Sequence, residues 1–166
     1  MSLDNLQLPG FVIQNLFQKT LVDLTSNKKN LVTAATKELK LFGGNKQHII
    51  LLVNNPDTAF LTEKQLTFLS GILTACKLTL EDVGILNIAT HPPITYKAIS
   101  DTLTPRIVMM FGILPDAIQL PFVMPEFQRQ SHNNHVYLAI PSLAELENNK
   151  DLKRKLWIAL QQIFSI

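Results

Sequence analysis

Two kinds of apolar run alternate along this chain. Ile49-Ile50-Leu51-Leu52-Val53 is continuous, as in strands buried on both faces of a sheet. Leu66, Leu69, Leu73 and Cys76 instead recur at helical spacing behind Thr62-Glu63-Lys64-Gln65, which reads as a capping box. Residues 83–88 predict a second strand, residues 96–103 a short helix, residues 106–111 a third strand and residues 116–120 another helical turn. Residues 127–130 and 135–139 flank the polar stretch 131–134 and predict two short strands joined by a turn. Ser142, with Glu145 following as a capping partner, opens a last helical section that residues 151–164 complete. Strand-helix units of this length predict an α/β fold of three layers, α/β/α, with a mainly parallel central sheet of about four strands, because each crossover lays a helix back on the sheet.

The opening of the chain follows another pattern. Phe11, Val12, Leu16, Phe17, Leu21 and Val22 predict an amphipathic helix over residues 9–24, started by Pro9-Gly10. A polar break over residues 25–30 leads to residues 31–42, which fit a helix followed by an edge strand and end at the turn signal Gly43-Gly44-Asn45. Residues 1–166 therefore read as a single α/β domain, with residues 1–30 a helical extension able to dock on a partner.

Composition narrows the function classes. With 15 basic and 13 acidic residues the net charge is only +2, so any contact with nucleic acid is expected to be local or indirect. No apolar run has the length of a membrane span, and residues 1–5 are polar without a basic flank, which predicts a cytoplasmic protein with no membrane contact. The one cysteine, Cys76, lies in an apolar-periodic stretch and is expected to be a small buried residue. His132 and His135 flank a turn-forming Asn133-Asn134 with no carboxylate or thiolate beside them, and His48 and His91 lie in other segments, so no metal is expected. Phosphate-binding glycine loops are also missing, since Gly43-Gly44 precedes a strand, and no cofactor is expected. In the last helix Leu152, Leu156, Leu160 and Ile163 share a face with Trp157 and Phe164 beside it. Lys150, Lys153, Arg154 and Lys155 fall largely opposite, which reads as a core helix with a solvated basic face rather than a nucleic-acid patch.

Candidate chemistry gathers at two strand ends. Ligands of open α/β sheets sit beyond the carboxyl ends of the strands, so Asn54, Asn55, Pro56, Asp57 and Phe60 after the first strand, and Ile140, Pro141 and Ser142 at the last, form a candidate crevice. A small-molecule site at Asn54, Asn55 and Ser142 is one reading of it. The order of these motifs around Arg106-Ile107-Val108-Met109-Met110-Phe111-Gly112 resembles the uracil-DNA glycosylase superfamily. In that family the first motif carries an Asp or Asn that activates or positions water, and the second begins with a His or Asn that stabilises the departing base. Asn55-Pro56 corresponds to the Asn-Pro of the mismatch-specific branch, but Val53 replaces a glycine and Ile140 stands where the His or Asn belongs. An isoleucine offers no donor to a leaving anion, and loss of such a donor costs about 100-fold or more in rate. The resemblance thus implies the fold with its catalytic motifs not retained, and no catalytic residue is assigned. A working uracil- or mismatch-type glycosylase, or a degenerate nucleic-acid-binding relative using the Asn55 and Ser142 crevice, is the alternative, with Phe60 as the stacking aromatic.

A second resemblance is to the psi subunit of bacterial DNA polymerase III, whose folded part is similar to the glycosylase fold. It rests on His48 through Asn55, Phe60-Leu61-Thr62, Ile72-Leu73-Thr74, Leu80-Glu81-Asp82-Val83, Ala139 through Asn149, and Leu152 through Leu156-Trp157. These span about two thirds of the chain and leave residues 1–45 unmatched. The resemblance implies a non-catalytic accessory protein of DNA replication that bridges partners: clamp-loader ATPase subunits through its N-terminal segment, and a chi-like subunit through its folded part. Leu6, Phe11 and Phe17 are the candidate partner-binding anchors, since a helix laid in a groove presents apolar residues at such spacing.

Overall fold

The computed structural model describes residues 39–91 and 93–166. The expected helix over residues 9–24, the anchors Leu6, Phe11 and Phe17, and residues 31–38 lie outside the described residues. Among those described, five strands form one sheet: β1 (Ile49–Val53), β2 (Val83–Asn87), β3 (Ile107–Phe111), β4 (Arg129–His132) and β5 (His135–Ile140), in the order β2-β1-β3-β5-β4. The four strands β2, β1, β3 and β5 are parallel, and β4 adds an antiparallel edge. The sheet thus has one strand more than the expected four or so, and its antiparallel strand is the outer arm of the expected hairpin.

That hairpin also corrects the expected boundaries. Its turn is only Asn133-Asn134, both with positive φ (50° and 64°), as the tight two-residue turns that match strand twist require. Ser131 and His132, read as turn residues, belong to the strand and pair with Val136 and His135. Polar side chains are tolerated there because an edge strand keeps one side in solvent. At the opposite edge, the expected strand before Gly43 is reduced to one antiparallel bridge, in which Phe42 N–H donates to Ile85 O at 2.9 Å and Ile85 N–H donates to Phe42 O at 2.8 Å.

Among the described residues, four α-helices cover the sheet: α1 (Glu63–Ala75), α2 (Tyr96–Leu103), α3 (Leu143–Asn148) and α4 (Lys150–Phe164). Alternation along the strands sorts their side chains between two cores. Ile49, Leu51, Val53, Met109, Phe111 and Leu138 pack with Leu69 and Leu73 of α1, Leu146 of α3, and Leu156 and Leu160 of α4. Ile50, Leu52, Val108, Met110 and Tyr137 face the other way, under Ile99 of α2 and the irregular segment carrying Ile113, Ile118 and Met124. Every residue of β1 is at most 2% exposed, as a central parallel strand covered on both faces must be. At about 1.5–3 kcal/mol per fully buried aliphatic side chain, this strand anchors both layers. Cys76 is buried in the first core, and desolvation raises its thiol pKa above the ordinary value.

Candidate functional site

Asn87, the last residue of β2, organises the end of β1. Its side chain is fully buried between the strand ends, where a carboxamide must find partners on both its oxygen and its nitrogen. Nδ2 donates to the carbonyls of Asn55 (2.7 Å), Thr58 (2.9 Å) and Ala59 (3.2 Å), while Oδ1 accepts from the amides of Asn55 (3.0 Å) and Ala89 (3.2 Å). Its carbonyl faces Nδ1 of His91 at 2.9 Å, and Nε2 of that ring accepts from the Lys40 amide at 3.3 Å. The loop after β1 is thereby folded back on the β2 edge.

Asn55 continues the same network into α1. Its Nδ2 donates to Phe60 O at 3.1 Å and to Gln65 Oε1 at 2.9 Å. Gln65 Oε1 also accepts from the Thr62 amide at 3.1 Å, and Thr62 Oγ1 accepts from the Gln65 amide at 3.3 Å, which completes the expected capping box. The side-chain donors of Asn55 are therefore spent on its own loop and on the first turn of α1. Asn54, Pro56 and Asp57 stand exposed at the loop's tip. Phe60 turns toward the β2 edge, where its ring lies 5.6 Å from that of Phe42, and both rings line a hollow of about 170 Å³ with Ala59, Leu61 and Leu66.

The other half of the expected crevice is built differently. Ile140 is 2% exposed and joins the core, Pro141 is buried behind it, and Ser142 caps α3. Ser142 Oγ accepts from the Glu145 amide at 3.3 Å and donates to Glu145 Oε2 at 2.9 Å, and the Ser142 amide donates to the same oxygen at 3.0 Å. Gly112, just past β3, donates its N–H to Ile140 O at 2.8 Å and takes φ of +65°. A Cβ on Gly112 would stand 2.9 Å from Ser142 Cβ, so only glycine allows the two strand ends to approach this closely.

The eight crevice residues therefore fall into two groups on either side of β3. Asn54 to Phe60 belong to the β2 side, and Ile140 to Ser142 to α3; two strand spacings, about 9–10 Å, separate the ends of β1 and β5. Asn87 was missed by the sequence reading. The available signal was a lone carboxamide ending an otherwise apolar strand, Val83-Gly84-Ile85-Leu86-Asn87.

Among the described residues, no group of three or more His, Cys, Asp or Glu side chains is placed to hold a metal ion. His132 packs on the rings of Phe122 and Tyr96, at 5.2 and 5.7 Å, and His135 Nδ1 faces the carbonyl of Pro105. Nor, among them, is any helix long and apolar enough to cross a membrane. No known protein family's profile matches the chain, and no curated protein matches it.

Proposed function

We propose that this chain is a non-catalytic accessory protein that binds other proteins, akin to the psi subunit of the DNA polymerase III clamp-loader assembly, on a uracil-DNA glycosylase-like fold. One observation carries the reading: where base excision would need a water-positioning carboxamide facing a donor for the departing base, Asn55 donates to Phe60 O and Gln65 Oε1 and Ile140 is a buried aliphatic residue. The glycosylase alternative requires Asn55 to be freed for a substrate and some other donor to replace Ile140. Under this reading the partners are clamp-loader ATPase subunits and a chi-like subunit, the setting is the cytoplasm, and contact with DNA is indirect.

The test pairs two assays on the full chain. Affinity capture against purified clamp-loader subunits and single-strand-binding assemblies is expected to retain the former, while duplexes containing uracil or a mismatched base remain intact. Stoichiometric base release that disappears in Asn55→Ala would overturn the proposal in favour of the enzyme.

A further inference from the structure

Helices α1 and α4 leave an open apolar groove between them, of about 270 Å³. Leu156 forms part of its floor, Phe68, Gly71 and Ala75 make the α1 wall, and Lys153 and Trp157 make the α4 wall. Trp157 is 37% exposed, a large apolar surface for a residue in a well-packed helix. Such a volume falls just below that of small-molecule pockets, about 300–1,000 Å³, but suits the anchoring side chains of a docked helix.

Gly71 adds an independent observation. It sits inside α1, where glycine weakens a helix, and a Cβ built on it would meet nothing within 4 Å. Nothing within this chain's described residues requires the missing side chain, whereas close approach of another backbone would. The groove also carries a charge signature. With about 3.6 residues per turn, Lys150, Lys153 and Arg154 share the flank of α4 that holds Trp157, and Asp151 does not. Lys153 Nζ lies 5.3 Å from the centre of the Phe68 ring, and no ion pair among the described residues engages any of the three cations. A second copy of the chain would set this basic flank against itself, so the complementary occupant is acidic.

We propose that the α1/α4 groove docks an amphipathic helix of a partner protein, with its apolar stripe seated between Phe68 and Trp157 and acidic side chains along the Lys150, Lys153 and Arg154 flank. This deepens the accessory-protein reading and rests on it.

Trp157 is the only tryptophan of the chain, so its emission reports on the groove directly. The probe is a synthetic amphipathic peptide of about 18 residues with a leucine stripe flanked by glutamates, added to the full chain. Its binding is expected to shift Trp157 emission to shorter wavelength, to saturate, and to weaken several-fold as salt screens the flank. Gly71→Leu is expected to keep the parent's helical ellipticity and a melting temperature at least as high, while weakening peptide binding at least about tenfold. Any of four results would overturn the proposal: no shift at about 1 mM peptide, equal binding of a lysine-flanked peptide, unchanged affinity in Gly71→Leu, or a stronger response to a single-stranded oligonucleotide. A stable homodimer that already covers Trp157 would overturn it too. A chi-like subunit, the partner expected on the folded part, captured equally by parent and Gly71→Leu chains would sink the groove and spare the accessory reading. If neither chain captures a chi-like or clamp-loader subunit while peptide binding holds, the groove stands and the replication assignment falls.

Discussion

At the scale of the residue, a single buried carboxamide decides how β1 leaves the sheet. Asn87 answers two amides and three carbonyls, so an apolar replacement deprives several half-buried backbone groups of their partner, at about 1 kcal/mol each and partly relieved by water. Asn87→Leu is expected to lose about 3 kcal/mol in urea unfolding, and Asn55→Ala, which deletes two half-buried hydrogen bonds, about 1 kcal/mol. A smaller loss for Asn87→Leu than for Asn55→Ala would refute this ranking. Asp82 supplies a pH dependence: the Thr79 backbone amide, then its hydroxyl, hold the carboxyl below its ordinary pKa. A depressed carboxylate contributes stability above its unfolded pKa, about 3.9, and loses it as pH falls through the folded value. Melting temperatures followed downward from pH 5 should therefore fall more steeply in the parent than in Asp82→Asn. Asn55 was legible as a candidate residue because a polar cluster follows an apolar run. Its partner was not, since Asn87 lies 32 positions away and is reached only through strand pairing.

At the scale of the element, local chemistry was read well where it is short-ranged. Both capping boxes, Thr62 with Gln65 and Ser142 with Glu145, form as their three-residue spacing predicts, because cap and partner lie within one helical turn. Ser142→Ala is expected to cost about 1 kcal/mol in urea unfolding through loss of the α3 cap. The hairpin was displaced by two residues for a physical reason: apolarity marks the inner strand, whereas β4 is held by its ladder to β5 and needs no apolar face. Gly71 is the element where helix propensity and surface part company. Gly71→Ala should raise stability by about 0.5–1 kcal/mol, since it removes backbone freedom from the unfolded chain and meets no neighbour; a thermal melt showing destabilisation would mean the helix already packs there.

At the scale of the molecule, β1 and β3 each contribute to both cores, so neither face can loosen without the other. Unfolding in urea followed by Trp157 emission and by far-ultraviolet ellipticity is expected to give coincident transitions, and an earlier change at Trp157 would show that α4 detaches first. The alternation of continuous and helically spaced apolar runs was enough to specify an α/β chain with a mainly parallel sheet, because burial on two faces or on one stripe leaves its period in the residues themselves. The two polar strand ends were visible for the same reason. Their separation was a tertiary matter: β3 pairs between β1 and β5, Gly112 closes against Ser142, and Asn87 draws Asn55 to the far side. Strand order joins residues distant along the chain, and no local pattern encodes which ends will meet; the open groove beside Gly71 likewise exists only once α1 and α4 lie side by side.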